Sequence, residues 1–567
     1  MKPSVPRSGL ALLCCAILAV VVYGNALHNP FVYDDYRLIV ENPTIQAISD
    51  VRAIIIVDIT RPLVALSYAV DTAIWGHDPL GYHVTSVLLH SVNVGLVFWV
   101  ALVLADDQRH QRGEVVAAGS RLVAPTATAL IFAVHPMMTQ AVGYISGRSE
   151  VLYGCLFLMA FLAGRRWLLH GGVGAWAATM GLWVVSILAK ETAVMLPVVL
   201  VAYDWFVHDT ATADRRRRIV HLAVPMLLAA AAAGMFRLFL LLGFEYRGWA
   251  GDWRFSLVAL DAFWRYFGLL LVPVNQSIFH ALPMPGGVFD VRVVAGLLGL
   301  VALGWTVWRV RRGYGLIAFG LSWFALLMVP SSVLFAVGIG EALAEHRAYV
   351  ASVGVFLAFG SGFAVLWRRL PDRGLWRAVV GAVALLLVAR LGLQTMIRNT
   401  IWSDPVMLSR EATQLAPDHW MPHLLLAEAY RHEGRCDSAI PEYAAAVRLA
   451  PGEEFGYTKL AGCLVEAHRF DEAERALLSL RRVNPKSQDA SIGLGVVATL
   501  TNRIDEARRY FRESLARDPS SALMRQFTAF VDGTLPTAEH LRLCQDMHDA
   551  AQGTFDFEAC THRQGQP

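Results

Sequence analysis

Long apolar runs recur through the first 397 residues, and they constrain the fold more than any other feature of the sequence. An α-helix needs about 20 apolar residues to cross the roughly 30 Å hydrocarbon core of a membrane. Hydrophobic residues make up 56% of the chain and charged residues 17%, a balance unusual for a water-soluble protein. The sequence therefore predicts an all-α, polytopic membrane protein of about eleven transmembrane helices. The predicted spans are 10–27, 83–105, 122–136, 148–164, 173–189, 191–207, 219–243, 288–308, 314–331, 349–367 and 376–397.

Charged residues decide how the remaining apolar segments and the chain ends are placed. Segments 61–76 and 255–274 contain charges, so we predict helices that lie at the membrane interface or dip partly into it. With a cytoplasmic N-terminus, the arginine-rich joints, of which RRRR at 215–218 is the clearest, all face the cytoplasm. The first run resembles a signal peptide that could be cleaved after Ala26, but the later spans favour an uncleaved first span. We therefore predict a multi-pass inner (plasma) membrane protein.

Four prolines after residue 397 are each separated by 34 residues: Pro417, Pro451, Pro485 and Pro519. This period is that of the tetratricopeptide repeat, a helix–turn–helix unit that stacks into an α-solenoid. The sequence predicts a repeat domain over 398–535, which faces the extracytoplasmic side in the predicted topology. Residues 536–567 are predicted to form a capping helix and a loose tail.

Four cysteines fall in this tail, and their pairing is left open by the sequence. Cys436 begins the second helix of one repeat, and Cys463 lies near the end of the first helix of the next. Antiparallel stacking would place these ends side by side, so Cys436–Cys463 and Cys544–Cys560 bridges are plausible in an oxidising compartment. Four unpaired thiols are the alternative.

Ionisable side chains cluster in the joints predicted to face outward, where their energetic cost makes them candidates for function. FVYDDYRLIVENP at 31–43 places the adjacent carboxylates of Asp34 and Asp35 just beyond the first span. A carboxylate can deprotonate a hydroxyl, and Arg or Lys can neutralise a phosphate that leaves with a lipid. Neither a P-loop nor a convincing dinucleotide-binding motif is present. These features predict group transfer from a lipid-phosphate donor at the membrane surface.

Five motifs follow one another along the membrane part of the chain: FVYDDYRLIVENP, RPLVALSYAVDTAIWGHDPLGYHVTSVLLHSVN, VHPMMTQAVGYISGRSEVL, AKETAVMLPVVLVAYDW and AEHRAYVASVG. Together with the repeats, they resemble those of the transmembrane and tetratricopeptide repeat-containing glycosyltransferases. This family belongs to the GT-C class, which also includes protein O-mannosyltransferases. The short repeat array is more similar to bacterial members. The resemblance implies a GT-C-like glycosyltransferase domain over 1–397.

The resemblance also implies an activity and roles for individual residues. The expected reaction moves a sugar from a polyprenyl-phosphate-linked donor to a hydroxyl acceptor, expected on protein Ser or Thr, by inverting single displacement at the extracytoplasmic face. The family's acidic motif corresponds to Asp34 and Asp35, with Asp34 the expected base and Asp35 the next candidate. The family's KE joint corresponds to Lys190–Glu191, and its ER-x-Y pattern corresponds to EHRAY, in which His346 is an insertion. The expected ligands of the donor phosphate are Arg347, Lys190, Arg61 and Tyr349. The expected supporting residues are Glu191, Arg148, Glu150, His346, His83 and His135.

Each role has a structural alternative. The carboxylates of Asp34 and Asp35 could cap a short helix. Arg347 and Tyr349 could be anchors at the membrane interface. Lys190 with Glu191, and Arg148 with Glu150, could be internal ion pairs.

Cofactors and partners follow from the same observations. No cofactor is required for the expected reaction, although a divalent cation is possible because some relatives use one near the acid. The spacing of the histidines matches no compact ligand motif, so no metal-binding residue is assigned. The net charge of +3 is too small to indicate a nucleic acid partner. The expected partners are the bilayer, the lipid-linked donor, and an acceptor protein or glycan recruited by the repeats. The alternative function is a non-catalytic envelope scaffold that binds partner proteins through its repeats.

Overall fold

The chain divides into two compact units, residues 1–404 and 405–567. The computed structural model describes residues 5–46, 48–114, 118–207, 213–240, 252–336, 341–371 and 374–535, with four isolated positions beyond them. The described residues contain helices and no strand, which confirms the all-α prediction. The predicted capping helix and tail at 536–567 and the predicted Cys544–Cys560 pair lie outside this described part, apart from those four positions.

The first unit contains sixteen described α-helices. Helix ends follow the local sequence. For example, α4 begins where the Asp78 side chain accepts a hydrogen bond from the Leu80 backbone N–H, and it ends at Gly113 in a left-handed conformation. The helices are α1 Val5–Tyr23, α2 Val51–Val57, α3 Pro62–Trp75, α4 Pro79–Arg112, α5 Ala118–Arg121, α6 Val123–Val134, α7 Thr139–Val142, α8 Arg148–His170, α9 Val173–Ile187, α10 Leu196–Val207, α11 Ala213–Leu240, α12 Arg254–Leu271, α13 Val291–Val310, α14 Gly315–Ala336, α15 Tyr349–Arg369 and α16 Leu375–Trp402.

Eight described segments are long and apolar enough to cross a membrane, so the chain is a multi-pass membrane protein. They include all or most of α1, α4, α8, α11, α13, α14, α15 and α16. The other three predicted spans are also helical, but α6, α9 and α10 contain only 12, 15 and 12 residues. At about 1.5 Å per residue they are shorter than the roughly 30 Å core. The helices within these three predicted spans are therefore shorter than predicted.

Polar and proline-containing turns shorten these three helices. Helix α6 stops at His135, whose ring accepts a hydrogen bond from the Met137 backbone N–H and caps a short 3₁₀ turn that begins at Pro136. Helices α9 and α10 are separated by Lys190 and a 3₁₀ turn over Glu191–Met195. A hydropathy average does not detect these turns, because the residues on either side of them remain apolar.

The core of the first unit lies between α4, α6, α8, α14 and α15, and it is rich in aromatic rings. Trp323 of α14 is 1% exposed and packs edge-on against Phe157 and Phe161 of α8. Gly320 of α14 faces Gly354 of α15, and a Cβ on either would collide with the backbone carbonyl of the other. The two helices therefore cross with their backbones in close contact.

Helix α12 belongs to a segment that we predict to lie at the interface. One side of this helix is buried, including Phe263 and Tyr266, and Asp261 pairs with Arg265 nearer the solvent. The hydroxyl of Tyr266 donates to the Ala344 carbonyl at 2.9 Å and accepts from the Ala344 N–H at 2.8 Å. In this way α12 fixes the joint between α14 and α15.

The described part of the second unit contains eight helices arranged as consecutive hairpins. The repeats turn at equivalent positions, because Gly434, His468 and Asn502 all adopt positive φ angles. Ala439, Ala473 and Ala507, also 34 residues apart, are fully buried where paired helices approach each other. These features confirm the predicted repeats. The helices are α17 Pro405–Leu415, α18 Trp420–His432, α19 Cys436–Leu449, α20 Glu454–Glu466, α21 Phe470–Val483, α22 Gln488–Leu500, α23 Ile504–Arg517 and α24 Ala522–Val531.

Cys436 and Cys463 form a disulfide between α19 and α20, with their Cα atoms 5.1 Å apart. The structure thus resolves the first of the two pairings that the sequence leaves open.

Candidate active site

A short turn between α1 and α2 presents the two adjacent aspartates differently. Asp35 is fully buried, and its carboxylate accepts hydrogen bonds from the Val32 N–H at 3.0 Å and from the N–H and hydroxyl of Ser146 at 2.8 and 2.5 Å. Burial raises the pKa of Asp35 to about 7, although these hydrogen bonds oppose the rise. Asp35 therefore ties its own turn to the segment before α8.

The Asp34 side chain remains 39% exposed, and its nearest cation is Arg37, at 3.9 Å. Burial of the surrounding turn raises the pKa of Asp34, while the charges of Arg37 and Arg61 act in the opposite direction. Asp34 is thus the accessible acid of the pair.

Tyr33 fixes the direction in which Asp34 leaves the turn. Its φ angle is +50°, a left-handed conformation that is strained for an aromatic residue. The Tyr33 ring stacks on Tyr144, which in turn stacks on Trp402 at the end of α16. The Tyr144 hydroxyl also accepts a hydrogen bond from the Asp34 N–H at 3.2 Å. Packing against these rings holds the strained turn in place.

Lys190 and Glu191 bind different partners rather than each other. Lys190 forms a buried ion pair with Glu150 at the start of α8. The Glu191 carboxylate accepts hydrogen bonds from the Nε and Nη2 atoms of Arg61, the shortest at 3.0 Å. The prediction of an internal Lys190–Glu191 pair is therefore wrong in its partners, because the turn after α9 directs the two side chains to different elements.

Arg148 also has a different partner from the one considered in the sequence. It is fully buried and forms an ion pair with Asp71 of α3, not with Glu150. Its guanidinium lies over the rings of Tyr68 and Tyr82, at 4.9 and 5.6 Å from their centroids. Arg148 therefore joins α3 and α4 to α8 through an internal ion pair, with Asp71 as its partner in place of Glu150.

The joint before α15 brings further charged groups to the same region. Glu345 is buried and accepts hydrogen bonds from Gln276, the Ser277 N–H and His280. Arg347 donates to the Glu341 carbonyl at 2.6 Å and has no carboxylate partner at ion-pair distance among the described residues. Arg347 is therefore the least neutralised of the predicted phosphate ligands.

Several of these groups lie close enough to act on one another's charge. Arg61, Lys190 and Arg347 all act on the His346 ring, whose buried Nδ1 atom has no hydrogen-bond partner in the described structure. Arg61 also acts on Asp34, and Asp34 acts on Glu341. The fold thus brings joints that are distant in sequence to one end of the membrane helices.

Three other predicted residues lie in the protein core. The Tyr349 hydroxyl contacts the Asn93 amide at 3.1 Å and the His90 Nδ1 at 2.8 Å, so this buried group is already engaged. His83 contacts the Asn29 carbonyl through Nε2 at 3.0 Å, and His135 caps the turn after α6. These placements do not support phosphate contact by Tyr349 or a direct role for either histidine.

Within the described residues, one group of three side chains has the spacing of a metal site: Cys436, Cys463 and Glu466. Its two sulfur atoms are bonded to each other. This arrangement gives no metal ligand set near Asp34.

Comparison with known proteins finds a match to a repeat profile and several similar proteins. A profile described as "Tetratricopeptide repeat" matches residues 408–454 and 462–522. Protein O-mannosyl-transferase Tmtc1 of Drosophila melanogaster is 28% identical over 525 residues, which cover 74% of this chain and 59% of the relative. Human protein O-mannosyl-transferase TMTC1 is 25% identical, with coverage of 79% and 55%. Drosophila Tmtc3 is 24% identical, with coverage of 90% and 64%.

The chain is a homologue of the TMTC proteins. It spans less than two thirds of the length of these three relatives. A crystal structure of the APC/C hetero-tetramer Cut9-Hcn1 covers 85% of this chain and 91% of its own, at 14% identity and a TM-score of 0.22.

Sequence reasoning missed Glu341 in this TMTC homologue. Glu341 lies four residues before Glu345, and its side chain is close enough to Tyr33 to interact with it. Burial raises the pKa of Glu341 to about 7, and Arg347 opposes the rise. Its position beside the EHRAY motif was the available signal. Asp71 is a charge within the apolar segment 61–76, and its pairing with Arg148 depends on tertiary packing.

Proposed function

We propose that this chain is a membrane glycosyltransferase that moves a sugar from a polyprenyl-phosphate-linked donor to a hydroxyl group of a protein. Homology to proteins named protein O-mannosyl-transferases supports both the transfer and the protein acceptor, and makes mannose the first sugar to test. The reaction takes place at the end of the membrane helices where Asp34 lies. We place this end at the extracytoplasmic face because the arginine-rich joints mark the opposite one.

The division of roles between the two aspartates carries the proposal. Asp35 is buried and its oxygens accept three hydrogen bonds, so it positions the turn. Asp34 is partly exposed, and its raised pKa makes its carboxylate a stronger base than an ordinary aspartate. Asp34 is therefore the base and Asp35 the positioning residue.

The chemical step needs one proton acceptor and one stabilised leaving group. Ionised Asp34 takes the proton of the acceptor hydroxyl as its oxygen attacks the anomeric carbon of the sugar. The bond between that carbon and the phosphate oxygen breaks, and the electron pair leaves with the lipid phosphate. Attack opposite the leaving group inverts the anomeric configuration.

Arg347 is the best placed of the predicted phosphate ligands. Arg61 is held by Glu191 and Lys190 by Glu150, so both carry partly compensated charges. Arg347 has its side chain anchored to a backbone carbonyl and not to a carboxylate. Its guanidinium can therefore take the charge that develops on the leaving phosphate.

The repeats supply an acceptor-binding function in this proposal. Tetratricopeptide repeats form extended surfaces that bind other proteins. The same property fits the alternative of a non-catalytic scaffold, so the repeats alone do not separate the two functions. The test must measure sugar transfer and partner binding separately.

Substitution of the base provides that test. Asp34→Asn should reduce sugar transfer by about 10²–10⁴-fold, the usual contribution of a general base, while membrane level and partner binding persist. Asp50→Asn is the matched control, because Asp50 caps α2 and asparagine caps equally well. Transfer is measured by mass spectrometry of acceptor glycoproteins in membranes that contain either variant or the wild type. Full transfer by Asp34→Asn would overturn the assignment of the base.

A further inference from the structure

A second charged region lies at the opposite ends of the helices that form the candidate active site. Helix α15 begins beside Arg347, contains 21 residues and ends at Arg369. At about 1.5 Å per residue, it separates the two ends by roughly the 30 Å thickness of the hydrocarbon core. A cavity of about 500 Å³ is present at this far end, between the ends of α4 and α15 and the starts of α6 and α14. It is separate from the proposed transfer site.

Arginines dominate the polar part of this cavity. Its lining includes Arg109, Arg112, Arg121, Arg368 and Arg369. Two carboxylates oppose them: Asp106 pairs with Arg109 and Arg121, and Glu114 pairs with Arg368 at 3.0 Å. Five guanidinium groups against two carboxylates leave an excess of three positive charges. Such an excess favours an anionic ligand.

Two arginines are the least neutralised of the five. Arg369 donates to the Tyr314 hydroxyl at 3.1 Å, and it has no carboxylate partner among the described residues. Arg112 lies 3.8 Å from Glu114, a carboxylate that it shares with Arg368. These two guanidinium groups are available for a further anion.

An independent feature of the lining also indicates a polar ligand. Ser361 of α15 is only 7% exposed, and its hydroxyl has no hydrogen-bond partner in the described structure. A buried hydroxyl without a partner is costly, and a ligand oxygen in the cavity would satisfy it.

We propose that this cavity binds the phosphate headgroup of an anionic phospholipid. The shared chemistry is that of a phosphate ester, which arginine forks recognise well. A lipid is favoured over a soluble phosphate because the arginines sit at helix ends while Ala105, Leu316, Ile317 and Val365 provide an apolar wall beside them. Headgroup charge and the upper acyl chain would both be accommodated. Basic pockets at the ends of membrane helices suit such headgroups.

Native mass spectrometry of the full-length protein in detergent tests this proposal. The probes are dioleoyl phosphatidylglycerol, zwitterionic dioleoyl phosphatidylcholine, glycerol 1-phosphate and inorganic phosphate. We expect phosphatidylglycerol to bind at least about tenfold more tightly than phosphatidylcholine, since several cationic residues attract its net negative headgroup. Neither soluble phosphate should displace the lipid at equal concentration. Equal displacement by glycerol 1-phosphate or inorganic phosphate would overturn the assignment to a lipid.

Three variants locate the binding. Arg112→Gln with Arg369→Gln should weaken phosphatidylglycerol binding by about tenfold or more. The matched control, Arg166→Gln with Arg309→Gln, removes two exposed arginines at cytoplasmic helix ends outside the cavity and should bind like the wild type. Ala364→Phe keeps every charge and fills the cavity, and it should also lose binding. Equal weakening in both double variants, or wild-type binding by Ala364→Phe, would show that surface charge and not the cavity holds the lipid. If the variant Arg112→Gln with Arg369→Gln does not fold, lipid binding by Ala364→Phe and displacement by the soluble phosphates still test whether the cavity binds the lipid.

Discussion

Adjacent aspartates in one turn have different roles because their surroundings differ. Asp35 points inward, where backbone and hydroxyl donors surround its carboxylate. Asp34 points the other way because the left-handed conformation of Tyr33 reverses the chain just before it. A strained residue next to a candidate base is typical of a site in which geometry has been selected over local stability. The proposed chemistry therefore depends on a turn that Asp35, Ser146 and Tyr144 keep closed.

The raised pKa of Asp34 predicts how transfer depends on pH. The base acts only when ionised, so kcat/KM should fall as pH decreases through its pKa. Because burial raises that pKa above the ordinary value of 3.8, the loss should begin at a higher pH than for an exposed aspartate. The measurement is kcat/KM against pH for wild type and Asp35→Asn. The acid limb should persist in Asp35→Asn; a limb that disappears there would assign the titration to Asp35.

The sequence predicts which residues belong to the candidate site more readily than it predicts which of them form ion pairs. Adjacent acids beyond a membrane span mark Asp34 and Asp35 in the sequence, and their division of roles needs only the burial of each. The partners of Lys190, Glu191 and Arg148 are 40, 130 and 77 positions away, and no local pattern specifies which acid meets which base. Glu341 was missed for the same reason, since its contact with Tyr33 exists only after the joints converge.

At the scale of elements, buried ion pairs hold short helices in position beside the long ones. Helix α3 has 14 residues, too few to span the membrane alone. Asp71 in α3 accepts a hydrogen bond from Thr85 of α4 at 2.9 Å and pairs with Arg148 of α8. Arg61, which precedes α3 directly, holds Glu191. The position of Arg61 near the candidate base therefore depends on the docking of α3.

Loss of the buried partner of Arg148 should destabilise the membrane unit. Asp71→Asn leaves the guanidinium buried without a compensating charge, which typically costs about 3–5 kcal/mol. Asp261→Asn is the matched control, because it breaks the more exposed pair with Arg265, typically worth about 0–1 kcal/mol. The measurement is the Tm of the purified protein in detergent, followed with a thiol-reactive dye. Equal Tm values for the two variants would mean that Arg148 finds another partner or that water enters the site.

The helices themselves were largely predictable, since every predicted span proved helical. The error lies in their lengths. The residues on both sides of His135–Pro136 and of Lys190 are apolar. A hydropathy average therefore gives one continuous apolar run at each of these positions, although the backbone turns there. Proline lacks the N–H needed to continue a helix, and a charged pair needs partners outside its own helix. Three predicted spans therefore contain helices shorter than their apolar runs suggest.

At the scale of the whole molecule, the two units differ in how directly sequence specifies structure. The repeat unit is periodic, so the 34-residue spacing predicts its helix pairs, its turns and its buried alanines at once. The membrane unit has no such period, and its site is assembled from joints scattered over more than 300 residues. Membrane topology relates the two units, because the side of the membrane on which α16 ends decides the compartment of the repeats.

The Cys436–Cys463 disulfide allows the predicted topology to be tested by chemical mapping of cysteines. Disulfides persist outside the cytoplasm and are rare within it, so a bridged pair is expected only if the repeats face the extracytoplasmic side. Peptide mapping of unreduced protein from native membranes should recover the linked peptides, while Cys155 in α8 should be alkylated as a free thiol after denaturation. Cys436→Ser with Cys463→Ser should lower the stability of the repeats by about 2–4 kcal/mol, as expected for a closed loop of this size. Complete alkylation of Cys436 and Cys463 without reductant would contradict the extracytoplasmic placement of the repeats, and with it the proposed face of the reaction.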